Sequence, residues 1–387
     1  MLGATTTTVV CVVPGFLVGG LAVQIGDELR FGPAGLGVAV STYFAVSAVT
    51  SVPAGRIVGR FGPTRTARAG ILVAAASLAA VGGLARDYGT LVALLAVAGV
   101  ANALGQLASN ASLAARVPPK RQGLSFGVKQ AAIPLSTLLA GLAVPAVALT
   151  IGWRWGYAMA TALALAALLL VPRDETNGRQ RRREPRTHGS TGALVVVGFA
   201  TLLAASAANS LSTFVVDAAV AGGLHPGPAG LALSAGSAAC ITFRLLGGWL
   251  ADKRTGGHMT VLAVLLGIGA VGLVLIGRPG LATLWTGVLL AFGIGWSWPG
   301  LLNYAVVQLH PQAPAAATSI TQTGVYAGAC VGPLVFGTVA TANGYPVAWL
   351  GAAGTMLLAG VGMLVGGALL RRSAPGSARP VGDHVTQ

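Results

Sequence analysis

The sequence is short of acid. Of its 387 residues only 9 are Asp or Glu, against 24 Lys and Arg, and charged residues of either sign make up 9% of the chain. An ordinary soluble domain spends roughly a quarter of its residues on charge, so water is not the solvent for most of this surface. Cysteine is scarce as well. Cys11, Cys240 and Cys330 stand far apart inside apolar runs, which speaks against a disulfide framework and a Cys-rich metal site. The five histidines, His188, His225, His258, His310 and His384, fall in loops or the tail without metal-ligand spacing. No Ser/His/Asp set, no paired carboxylates within an apolar run and no phosphate-cradling loop after a strand is present, which counts against an enzyme, and no cofactor is implied. Aromatic residues, at 6%, give little sign of a large aromatic cage. The net charge of +15 would suggest nucleic acid in a soluble protein. Here the cations sit between hydrophobic runs, which favours membrane topology over nucleic-acid binding.

What the chain has in excess is apolar length. A helix crossing the roughly 30 Å hydrocarbon core needs about 20 mostly apolar residues. Twelve such runs lie near 5–26, 34–55, 69–85, 89–114, 124–147, 155–172, 191–215, 228–250, 259–277, 280–308, 315–340 and 347–370. The first run has no basic stretch before it and no clear cleavage site, so it is read as a span and not as a signal peptide.

Successive spans alternate direction, so loops after even-numbered runs share one face with both termini. Of the 24 Lys and Arg, eighteen fall on that face and only Arg30, Arg86, Arg154 and Arg278 on the other. The positive-inside rule therefore places both termini in the cytoplasm. The polar stretch 173–190 reads as a cytoplasmic linker between an N-terminal six-helix bundle (1–172) and a C-terminal one (191–370), with a cytoplasmic tail at 371–387.

The halves repeat. Gly55 answers Gly248, Asn110 answers Asn303, Pro118 answers Pro311, Gln130 answers Gln322, and Gly152-Trp153 answers Gly344-Tyr345, all at a shift of 192 or 193 residues. The pentapeptide Gly-Pro-Ala-Gly-Leu occurs at 32–36 and again at 227–231. The expected fold is all-α, with twelve transmembrane helices in two six-helix repeats around a mid-membrane site. Small residues four apart, as in Gly15/Gly19, Gly55/Gly59 and Gly324/Gly328/Gly332, are spaced for close helix contact, and either pack helices or also permit rocking.

After the eighth run the sequence reads Gly248-Trp249-Leu250-Ala251-Asp252-Lys253, and after the second Gly55-Arg56-Ile57-Val58-Gly59-Arg60-Phe61-Gly62. Both resemble the signature loop of the major facilitator superfamily, although Gly59 stands where the family usually has Asp. The resemblance implies the major facilitator fold and a gating role for Gly55, Arg60, Gly62, Gly248 and Asp252 on the cytoplasmic side. Helix 5 around Gly127-Val128-Lys129-Gln130 and helix 10 around Trp296-Ser297-Trp298-Pro299-Gly300 are similar to members grouped with cyanate and nitroimidazole transporters. Proton-linked drug exporters of the superfamily usually carry an acid in helix 1, an Arg in helix 4 and Gly-Pro in helix 5. This chain has no carboxylate before Asp27, Ala101 near the expected Arg and Ala132 before Pro134, so drug/proton antiport becomes the alternative.

Lys129 and Arg244 are the two cations inside the spans. Each either lines a polar cavity or snorkels to the headgroups. The resemblance places helices 5 and 8 face to face, and Arg244 at a position where monocarboxylate and oxalate/formate carriers have a substrate-facing Arg. With no acid at that depth, a bound anion would relieve the repulsion between them. Gln130, Gln322, Asn110 and Asn303 are repeat-related amides that either contact substrate or bond between helices. Tyr43, Asn209 and Tyr326 are further polar candidates. Asp217 and Asp27-Glu28 are the acids near the outer side of the cavity, with a surface role or proton coupling open to them. The expected function is secondary active transport of a small organic or inorganic anion by rocker-switch alternating access. Its partners are an anionic small-molecule substrate, the lipid bilayer of the cell inner (plasma) membrane and a coupling ion such as a proton, with no nucleic acid, and the protein is expected to be monomeric. A non-transporting receptor or sensor is the remaining class, and the lack of a sizeable soluble domain counts against it.

Overall fold

A peptide group in hydrocarbon has no water to bond, so each apolar run closes its hydrogen bonds within itself as a helix. The computed structural model describes residues 2–116, 127–171, 191–253, 256–309 and 314–372, apart from the side chains of 114–116, 191, 251–253, 309, 314–317 and 372. Among the described residues twelve helices are long and apolar enough to cross a membrane. They are α1 (Leu2–Gly20), α2 (Pro33–Phe61), α3 (Pro63–Leu84), α4 (Tyr88–Leu113), α5 (Gly127–Ala148), α6 (Trp153–Leu170), α7 (Gly192–Ala221), α8 (Pro226–Leu250), α9 (His258–Ile276), α10 (Leu281–Gln308), α11 (Thr318–Asn343) and α12 (Tyr345–Arg371). The linker 173–190 and the tail beyond Arg372 lie outside the described residues. Large apolar side chains such as Leu84, Phe199 and Leu358 stand outward, as they do where lipid replaces water.

Two expected boundaries move. The first span ends at Gly20, and after a turn at Leu21 a separate short helix, Ala22–Leu29, carries the chain out. The first signature segment is not a loop: Gly55 to Phe61 continue α2, and the turn is made at Gly62, whose φ of +82° suits a residue without Cβ. Pro63 then opens α3, where its missing N–H costs nothing. Asp87 caps α4, its carboxylate accepting from the Thr90 hydroxyl at 2.6 Å and the Thr90 N–H at 2.9 Å, and these bonds, the hydroxyl's first, hold its carboxyl below the usual carboxylate range.

The repeat visible in the sequence is a repeat in space. In the first half α4 packs on α2 and α3, α6 on α3, and α1 on α5; in the second α10 packs on α8 and α9, α12 on α9, and α7 on α11. Gly152 and Gly344, matched in sequence, both take positive φ (100° and 84°) immediately before α6 and α12. The halves meet along two equivalent seams, α2 with α11 and α5 with α8, and α1 also touches α7.

Glycines set the closeness of these contacts. A Cβ at Gly141 on α5 would meet the Gly230 carbonyl of α8 at 2.5 Å, and one at Gly19 on α1 would meet Thr213 on α7 at 3.0 Å, so both hold the halves together. Gly324, Gly328 and Gly332 pack α11 against Gly198, Leu202 and Ser206 of α7 inside the second half, and Gly15 packs on Tyr43 inside the first. Gly55 and Gly59 depart from expectation: nothing lies within 4 Å of a Cβ at either, nor at Gly248, so in this state they make no close helix contact.

Candidate functional site

The α5/α8 seam is polar along its length. Ser234 on α8 donates to the Leu138 carbonyl on α5 (3.1 Å), and the hydroxyls of Thr137 and Ser237 meet at 2.7 Å. The equivalent α2/α11 seam has the Ser41 hydroxyl on the Cys330 carbonyl (2.5 Å) and the Ala34 N–H on the Thr341 hydroxyl (3.0 Å). Among the described residues the α5/α8 hydrogen bonds extend, toward Gly248, as far as Arg244.

Arg244 is 4% exposed and surrounded by backbone oxygen. Its Nε and Nη2 donate to the Trp296 carbonyl at 3.2 and 2.9 Å, and its Nη1 to the Gln130 carbonyl at 2.5 Å. Both carbonyls are free for local reasons. In α5 the N–H that would close on Gln130 belongs to residue 134, which is proline and has none. The bonds on either side, Ala131 N–H to Gly127 and Leu135 N–H to Ala131, are both made at 3.0 Å. In α10 a π-helical stretch, Leu289–Gly295, runs into a break at Trp296 and Ser297 before the helix restarts at Trp298, leaving the Trp296 carbonyl outside any helix. One guanidinium thus satisfies an orphan acceptor in each half. Hydrogen bonds from a charged donor contribute about 1.5–3 kcal/mol each, against about 2.5–3.5 kcal/mol for placing an Arg at mid-membrane. The side chain is therefore stable here, yet its charge meets no carboxylate: among the described residues the one ion pair is Arg154–Glu28.

Lys129, the second expected cation, is 3% exposed and donates to the side-chain oxygen of Gln106 on α4. Neither cation snorkels. Lys129 turns into its own half, whereas Arg244 bridges the two. Asn110, Gln130, Gln322 and Asn303 are all half-buried. Gln130 reaches Arg244 through its backbone carbonyl, and among the described residues no hydrogen bond joins Asn110, Asn303 or Gln322 to either cation. Asn209 caps back onto its own helix at Ala205, and Tyr43 donates to the Cys11 carbonyl, both inside their halves. The guanidinium of Arg60 lies over the neighbouring Phe61 ring, and the side chain of Asp252 lies outside the described residues.

Beside Arg244 runs an aromatic chain that composition concealed. Trp296, 5.5 Å from the Arg244 guanidinium, stands edge-on to Phe292 in its own helix and to Phe16 on α1 (6.3 Å), which in turn meets Phe44 on α2 (6.3 Å). A chain of four rings drawn from both halves thus leads, through Trp296, to one buried cation. Gln106 and this cluster carry no motif; the one signal for the Gln130 acceptor is Pro134 four residues on.

Two six-helix bundles related by repeat, joined by small-residue seams with a buried polar centre at a helix break, define a membrane transporter of the secondary type. The chain belongs to the Major Facilitator Superfamily, whose family model matches residues 4–197 and again 197–385. It is thus a multi-pass membrane protein of a family and fold of transporters, not enzymes. It is similar to a chloramphenicol resistance protein of Streptomyces lividans, 27% identical over 337 residues and 84% of each chain. Among solved structures it is similar to a bacterial homolog of the human lysosomal transporter Spinster in an inward-facing and occupied conformation, with a TM-score of 0.71 and 14% identity over 96% of this chain and 95% of that one. The latter likeness is one of fold.

Proposed function

We propose that this protein is a secondary active transporter of the plasma membrane that moves a small solute bearing negative charge, by rocking one six-helix half against the other. The observation that carries the substrate class is Arg244: a guanidinium buried between the halves, beside Trp296 at the end of a chain of four rings, its hydrogen bonds made to neutral carbonyls. A planar fork of donors suits a carboxylate or similar anion. The rings favour an anion with an apolar or aromatic body. Lys129 adds positive potential from within its half, and the half-buried amides of Gln130, Gln322, Asn110 and Asn303 offer neutral donors and acceptors. With the termini cytoplasmic, the contacts of α2 with α11 and of α5 with α8 lie toward the outer side, which supports reading that side as the sealed one. Gly55, Arg60, Gly62, Gly248 and Asp252 then belong to the inner gate.

A second reading, drug efflux, is supported by the name of the Streptomyces relative and by the same ring cluster, which would accept a lipophilic body. Counterflow of labelled small anions in proteoliposomes, with a thermal-shift screen of the purified protein, separates the two. A ligand at 100 times its dissociation constant stabilises by about 2.7 kcal/mol. Stabilisation by anions that is lost in Arg244→Gln is the expected result. Stabilisation by lipophilic cations or neutral drugs alone, unchanged in Arg244→Gln, would replace the anion reading with the efflux one.

A further inference from the structure

We propose that Arg244 is shared between two competing acceptors: where α5 and α8 are in contact it ties the halves through the Gln130 carbonyl that Pro134 leaves free, and an incoming anion takes Nη1 from that carbonyl, so that binding loosens the α5/α8 seam. The inference rests on the reading of Arg244 as the charge partner of the substrate, and adds a positioning role for Pro134.

The geometry carries it in three steps. The Trp296 carbonyl holds Nε and Nη2 from within the second half, so it anchors the side chain and travels with α8 and α10. Nη1 alone crosses to the first half, and its acceptor is available because residue 134 has no N–H. A carboxylate brings a full opposite charge and two oxygens to a guanidinium fork, where a neutral carbonyl brings only a dipole, so an anion entering beside Nη1 displaces the weaker acceptor. The Gln130 carbonyl, at a half-buried place, is then left without its donor, and the cost falls as α5 moves off α8 and water reaches it. Substrate binding and seam opening thus draw on one donor, which is what couples them.

Pro134→Ala tests this without touching the guanidinium, since an alanine at that position supplies the N–H that lets α5 satisfy Gln130 itself. Pro134→Val restores the same N–H with a different side chain and guards against an idiosyncrasy of one variant. In the full-length protein, with its three native cysteines replaced by alanine, spin labels at Thr150 and His225 report the separation of the outer ends of α5 and α8. Benzoate and nitrate serve as probes of binding. Both variants should shift the ligand-free distances toward the separated population, and should bind whichever probe the parent binds about three- to tenfold more tightly, because the competing carbonyl is gone. Ligand-free distances and affinity unchanged from the parent in both variants would overturn the latch, whatever Arg244→Gln does. Parental binding in Arg244→Gln, with the distance shift present in the Pro134 variants, would instead refute the substrate role of Arg244 and leave the tie standing.

Discussion

The indole N–H of Trp153 donates to the carboxylate of Glu28 at 2.6 Å, joining the start of α6 to the short helix that follows α1. The second half repeats the arrangement at the matching place, where the hydroxyl of Tyr345 at the start of α12 donates to Asp217 near the end of α7. In each half an aromatic just after a positive-φ glycine thus ties the sixth helix to an acid at the outer end of the first. Asp217 is therefore partly buried and engaged, not a free surface acid.

The Glu28 cluster is expected to make stability depend on acid. The Arg154 guanidinium bonded to it is the main cause that holds its carboxyl below the ordinary range; burial opposes this, and the Trp153 indole adds a smaller pull in the same direction as Arg154. A depressed folded-state value means the contribution is complete above the unfolded value of about 4.3 and is lost as the pH falls through the lower folded one. The melting temperature of the parent should exceed that of Glu28→Gln by a constant margin between about pH 6 and 8, and the margin should close below about pH 4. A margin independent of pH down to about 3 would show that the carboxylate charge contributes nothing.

Lys129 and Gln106 are expected to behave as one buried unit. Gln106→Leu leaves an ammonium without its acceptor and should destabilise by about 1–3 kcal/mol or more, while the double variant Lys129→Met/Gln106→Leu should recover most of that loss. Thermal unfolding of the four proteins of the cycle measures the coupling. Strict additivity would mean that Lys129 finds another acceptor.

Two glycines separate packing from rocking. Gly328→Val places a methyl against the Leu202 carbonyl inside the second half and should cost about 1–3 kcal/mol of stability. Gly141→Val crowds Gly230 and Ser234 across the seam. It should leave each half intact, keep the outer ends apart and cut transport at least about tenfold with a smaller loss of stability. Equal losses of stability in both would leave the α5/α8 seam a static contact.

Topology follows from the charge count. A single cysteine introduced at Arg183 should react with a membrane-impermeant maleimide in inverted vesicles and not in intact cells. Labelling from outside intact cells would reverse the orientation of the protein and, with it, the assignment of the sealed side.

Much of this protein was legible in its sequence because the bilayer imposes one-dimensional rules. Twelve runs of the right length, cations gathered on one set of loops and a shift of 192 or 193 residues between halves each follow from hydrocarbon thickness, membrane potential and gene-level repetition, and none needs contact information. Lys129 and Arg244 stood out for the same reason, as charges at a depth where charge is costly. What each charge touches was not legible. Spacing along a helix says nothing of which way a long side chain turns, so the inward bond of Lys129 to Gln106 and the bridge of Arg244 across the seam were decided by packing. So was the ring chain: Phe16 and Phe44 stand far in sequence from each other and from the Phe292/Trp296 pair, and only the meeting of α1, α2 and α10 joins them. The acceptors of Arg244 are a proline's missing N–H and a helix break, backbone features whose consequence exists only once α8 lies against α5 and α10 and a donor arrives from another helix to meet them.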